Sequence, residues 1–183
     1  DQVQVLDALD WIASIQFRLY QGDYAGAWQR FESLDGELRR LPFAKIQLFR
    51  VSRAMLGALT AIHNLAGDFQ DIWRVRATAR ILQLRQEPLP YAEVLASFYD
   101  GLLHHRVAMQ GQPGSARSIA CEQLAKARQQ ALAYHLRPFQ LAADDLLSEI
   151  ETGQSGGALK RRMNKQGVVR PEAFTRLYTV ADE

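Results

Sequence analysis

The 183-residue chain predicts an all-α fold: an α-solenoid of antiparallel helical hairpins with a short basic C-terminal helix. Three observations carry this expectation. Gly22-Asp23-Tyr24 returns 45 residues later as Gly67-Asp68-Phe69, and a weaker copy, Gly111-Gln112-Pro113, follows after a further 44. Each copy lies between two stretches of helical periodicity, so the glycine ends one helix and the residues after it begin the next. No segment alternates apolar and polar residues strongly enough to compete as a strand, 166–170 being the only short candidate. Because one hairpin cannot bury its apolar face alone, such hairpins stack into a continuous core and leave a groove as working surface.

The first helix, over 3–21, carries Leu6, Leu9, Ala13, Phe17 and Tyr20 at three-and-four spacing, the stripe expected to face the following helices. Trp11, Ile12, Ile15 and Leu19 then form a surplus stripe. On that assignment Trp11 and Ile15 are candidate contacts with an upstream domain, a second copy of the chain or a partner helix. The second helix, over 23–41, places Ala27, Phe31, Leu34 and Leu38 on one face and stops before Pro42. In the second hairpin a helix over 43–65, with Ile46, Phe49, Met55, Leu59 and Ile62, turns at Gly67. Asp68 caps the helix over 69–85, which carries Ile72, Trp73, Ile81 and Leu82 and is broken by Pro88 and Pro90. The third hairpin pairs 91–109 with 115–134, and a shorter helix over 138–151 is headed by Pro138. Residues 1–152 thus read as three hairpins plus an extra helix. Residues 153–183 read as a glycine-rich break, a basic helix over 158–165 closed by Gly167, and a tail with an apolar group of Phe174, Leu177 and Tyr178.

Hydrophobic residues make up 48% of the chain, enough for a packed core and too many for a disordered one. No apolar run approaches the roughly 20 residues needed to span a bilayer, and no signal-peptide pattern opens the sequence, so no membrane partner is expected. The single cysteine, Cys121, excludes an internal disulfide framework and favours a reducing, cytoplasmic compartment. The chain begins with Asp1, as a piece trimmed from a larger protein would. Its net charge of +2 is too small for a nucleic-acid platform, but the charge is unevenly placed. Residues 155–176 hold six basic side chains (Lys160, Arg161, Arg162, Lys165, Arg170, Arg176) against Glu172; this +5 within a total of +2 leaves −3 on the rest. Lys160, Arg161 and Arg162 are therefore candidates for an anionic partner, or for docking on the chain's own body.

Enzyme chemistry is not legible. His104 and His105 are adjacent and diverge by about 100° on a helix, and His63 and His135 lack an acidic or cysteine partner at ligand spacing, so neither a metal nor another cofactor is expected. Asp144-Asp145 reads as a solvated helix edge, Cys121 has no nucleophile signature, and the glycines at 153, 156 and 157 follow no strand and precede no Lys-Ser/Thr.

Gly22, Tyr24, Ala27 and Phe31 resemble the turn and second-helix core of a tetratricopeptide repeat. Gly67 and Phe69 match the same turn, whereas Arg76 stands where a large apolar residue is expected, and the third copy keeps Gly111 and Ala116 without the aromatic. The period of 44 to 45 exceeds the tetratricopeptide length of about 34, which implies tetratricopeptide-like hairpins with lengthened helices. The chain is also similar to a helical region at the C-terminus of some bacterial serine/threonine protein kinases. The matching segments are 19–23 with Ala27-Trp28, 46–51, and 163–171 with Gln166-Gly167. The first resemblance implies that leading helices line a concave face, presenting Arg50, Arg53, His63, His104, His105 and Arg106 to a protein or an acidic peptide. The second implies a regulatory or interaction module beside an upstream kinase domain, although kinase signatures are absent from these residues. The expected function is a non-catalytic protein-interaction or regulatory module of a larger bacterial signalling protein. The alternative is the helical ligand-sensing region of a bacterial transcription regulator or signal-transducing ATPase.

Overall fold

The computed structural model describes residues 5–38, 45–65, 70–111, 114–153, 157–168 and 171. Among these, every regular element is a helix: α1 (Val5–Gln21), α2 (Tyr24–Leu38), α3 (Gln47–His63), α4 (Gln70–Arg85), α5 (Pro90–Met109), α6 (Gly114–Ala133), α7 (Arg137–Thr152) and α8 (Ala158–Lys165). Gln166 and Gly167 form a turn, so the short strand candidate does not materialise at those positions. Pro42, the turn Gly67-Asp68-Phe69, Gln112-Pro113 and the tail residues Phe174, Leu177 and Tyr178 lie outside the described residues. Two compact units are present, Asp1–Glu87 and Pro88–Glu183. The boundary between them falls after α4, and α8 is held on α7 within the second unit.

In the first unit α1 and α2 form an antiparallel hairpin closed at Gly22. With φ of 81°, Gly22 adopts the left-handed conformation that a side chain disfavours. Its N–H donates to the Leu19 carbonyl at 3.0 Å and the Asp23 N–H to the Arg18 carbonyl at 2.9 Å, which satisfies the last carbonyls of α1. Asp23 then caps α2 by accepting from the Gly26 N–H at 2.9 Å, and its other oxygen accepts from Arg18 at 2.6 Å.

The face of α1 that packs is the reverse of the expected one. Trp11, Ile15 and Leu19 are fully buried, whereas Leu6, Leu9 and Phe17 are 71%, 56% and 60% exposed. Both stripes are apolar, so periodicity could not rank them; neighbours did. The Trp11 ring lies 5.5 Å from Phe31 of α2 and 6.5 Å from Phe49 of α3, and its indole N–H donates to the Arg30 carbonyl at 2.9 Å. Trp11 and Ile15 are therefore core, and the unpartnered stripe of α1 is Leu6, Leu9 and Phe17. Ile46, Ile72 and Leu82, also expected in the core, are exposed.

The helices α3 and α4 form the second antiparallel hairpin, with Arg50 meeting Glu87 at one end and Gly57 facing Arg80 further along. In the second unit α5 and α6 repeat this arrangement. Gly57 in α3 and Gly101 in α5 stand 44 residues apart, the interval of the turns, and both admit a neighbour too close for a side chain. A Cβ on Gly57 would lie 2.7 Å from the Phe31 ring, and one on Gly101 would lie 2.7 Å from Leu124 Cγ and 3.0 Å from its backbone nitrogen. Small buried residues of α6 (Ala116, Ala120, Ala127, Ala131) let α5 and α7 approach it, and Phe139 of α7 packs edge-on against Phe98 at 5.4 Å. Between α6 and α7 the left-handed position is taken by His135, φ 59°, with the Leu136 N–H returning to the Ala131 carbonyl at 2.8 Å. Asp144 pairs with Arg128 at 3.5 Å, and Asp145 accepts from the Leu159 N–H at 2.9 Å, holding α8 while Leu159 and Met163 are buried. This aspartate pair joins helices, where a solvated edge was expected.

Candidate partner-binding surfaces

Of the residues expected to face an acidic peptide, Arg50, Arg53, His104 and His105 are engaged with carboxylates of the chain itself. Arg50 grips Glu87 with both ends of its fork, Nε to Oε1 and Nη2 to Oε2 at 2.7 Å each, and donates to the Lys45 carbonyl. The hydrogen bond from Arg50 holds the Glu87 carboxyl below the usual carboxylate range, against the opposing effect of burial, and Glu87 in turn raises Arg50. Arg53 approaches Asp35 at 3.6 Å with both side chains largely buried. His104 contacts the Asp100 carbonyl at 2.8 Å and its carboxylate at 3.2 Å, and buried His105 meets Glu149 of α7 at 3.1 Å. His63 is buried and stacks on Tyr24 with centroids 4.3 Å apart. Arg50, Arg53 and His105 thus tie separate parts of the chain together, whereas His104 is held within its own helix by Asp100.

A groove of about 600 Å³ opens instead between α2 and α4. These second helices of the two hairpins run parallel and meet at residues separated by about one repeat. Trp28 packs edge-on against Trp73 at 5.0 Å, Glu32 pairs with Arg76 at 3.4 Å, and Asp35 accepts from Arg80 Nη2 at 3.1 Å, 45 residues on. The Arg76 guanidinium lies over both indoles, 4.7 Å from Trp28 and 4.8 Å from Trp73, and that of Arg80 lies 4.8 Å over Phe31. Cation–π contact lets Arg76 do the work of the large apolar residue that the repeat pattern expects there. Stacking also leaves its donors pointing in the guanidinium plane. Beyond Glu32 they have no partner among the described residues, and the buried indole N–H of Trp28 has no acceptor there either.

The groove escaped sequence analysis, although its signal was present. Adding the 45-residue repeat to Trp28, Phe31 and Asp35 gives Trp73, Arg76 and Arg80, an aromatic pair followed by positions that contribute arginine on one side only.

The third surface is α8. Lys160, Arg161, Arg162 and Lys165 are exposed, and none makes an ion pair among the described residues. Also among these residues, no three His, Cys, Asp or Glu side chains gather as a metal site, and no helix is long and apolar enough to cross a membrane. Comparison with protein-family models, curated proteins and solved structures finds no match for the chain.

Proposed function

We propose that this chain is a non-catalytic protein-interaction module, a solenoid of tetratricopeptide-like hairpins that serves as the regulatory C-terminal part of a larger bacterial signalling protein such as a serine/threonine kinase. The observation that carries the reading is the α2/α4 groove, where Arg76 and Arg80 stack over Trp28 and Phe31 and the in-plane donors of Arg76 have no partner beyond Glu32 among the described residues. Its occupant is a peptide that lays an aromatic side chain against the stacked guanidiniums and Ala79 and offers a carboxylate to Arg76. Glu32 is easily displaced, because an exposed pair at 3.4 Å contributes at most about 1 kcal/mol, whereas a planar guanidinium binds a carboxylate through two parallel bonds. The meeting of α2 and α4 at one-repeat intervals and the 44-residue spacing of Gly57 and Gly101 support the repeat architecture.

The test is an array of short peptides, each pairing one aromatic with one acidic residue, probed with the purified chain and with Ala79→Trp. Ala79 is exposed and lines the groove, so the bulky indole blocks it without entering the core. Array members are expected to bind the native chain and to weaken by about tenfold or more on blocking, equivalent to about 1.4 kcal/mol. Absence of any binder, or binding indifferent to the substitution, defeats the assignment.

A further inference from the structure

We infer that the outer face of α8 is a second docking surface, built for a short acidic segment of a partner protein. On a helix advancing 100° per residue, Leu159 and Met163 share one side, and Lys160, Arg161, Arg162 and Lys165 fan across the opposite side. The two apolar side chains are buried and the four cations are exposed. No acidic residue occurs anywhere in 157–168 to neutralise them.

This face is held in place. Asp145 of α7 caps the first turn through the Leu159 N–H at 2.9 Å, and Gly167, φ 76°, closes the last turn with the Val168 N–H on the Met163 carbonyl at 3.1 Å. A partner meets charges on a fixed frame and spends little conformational entropy ordering them. Chain-internal pairing is the usual fate of such cations, and here the helix docks on its own unit while its charges find no carboxylate among the described residues.

The dimensions select the partner. Eight helical residues span about 12 Å, room for a few carboxylates and not for a tract of nucleic acid. A duplex or a bilayer carries negative charge well past the screening distance of about 8 Å, and it would bring that charge against a chain whose remaining residues, outside 155–176, sum to −3. A short acidic segment meets α8 alone.

The experiment measures fluorescence anisotropy of a short labelled Glu/Asp-rich peptide against three full chains: native, Lys160→Gln/Arg161→Gln/Arg162→Gln, and Ala79→Trp. The native chain is expected to bind with an affinity that falls as salt is raised. The triple variant should weaken binding by about tenfold or more with its helical circular dichroism retained, and Ala79→Trp should leave it unchanged, which separates this surface from the groove. Failure of the native chain to bind, equal binding by the triple variant, or tighter binding to a DNA duplex or to phosphatidylserine vesicles than to the peptide would overturn the inference.

Discussion

The α2/α4 groove and α8 treat positive charge in opposite ways. In and behind the groove Arg53, Arg76 and Arg80 lie against aromatic rings or beside Asp35 and Glu32, all within one unit. On α8 four cations face outward without a carboxylate among the described residues. The groove arginines are joints between helices, and of the three only Arg76 keeps a substantially exposed edge. Those of α8 join no helix to another among the described residues. The difference follows from burial: a cation removed from water must be compensated by its own chain, and a solvated one need not be.

The largest expected effect lies at Asp35, a carboxylate buried between two arginines. Asp35 stands between Arg53 and Arg80, with all three side chains at least 86% buried. Asp35→Asn leaves two cations with a neutral neighbour, and chemical denaturation should report a loss of about 3 kcal/mol. A change within error would show that these arginines are as independent of their partner as those of α8, and the contrast would collapse.

A smaller, pH-dependent effect is expected at the Arg50–Glu87 fork. Because the folded-state pKa of Glu87 is depressed, its stabilisation is fully present above its unfolded pKa of about 4.3 and is lost as pH falls through the folded value. Glu87→Gln should therefore melt below the native protein at pH 7, and the gap should close on acidification below the ordinary carboxylate range. Parallel melting curves across that range would count against a working fork.

The smallest effect concerns the two faces of α1. Leu9→Glu/Phe17→Glu changes only side chains that are more than half exposed, so the stability of the chain should move by no more than about 0.5 kcal/mol per substitution. The same change at Trp11 and Ile15 would strike the core. A large loss in the first variant would mean that the outer stripe of α1 is covered in solution, which sedimentation of the two proteins would reveal.

The helical elements were largely legible because they are written in local signals. Gly22-Asp23 specifies a turn by its backbone and a cap by the aspartate side chain, and among the described residues the helices lie within a few residues of where periodicity and prolines put them. Where a turn lacks its glycine, as at His135, the apolar pattern on either side still located it. The basic helix was equally plain, being a run of charge in sequence.

The groove was not, because its parts are about 45 residues apart and meet only when α2 lies along α4. The same holds for Arg50 and Glu87, which look like free surface charges until the hairpin closes. The sequence by itself determined which segments are helical, where they turn and that one of them is strongly basic, since these depend on near neighbours along the chain. Only the tertiary structure decided which stripe of α1 is core, which arginines are spoken for and where a cavity opens. Those outcomes rest on long-range packing: two apolar stripes of similar periodicity are told apart by the indole, phenyl and carbonyl groups that other helices bring to them.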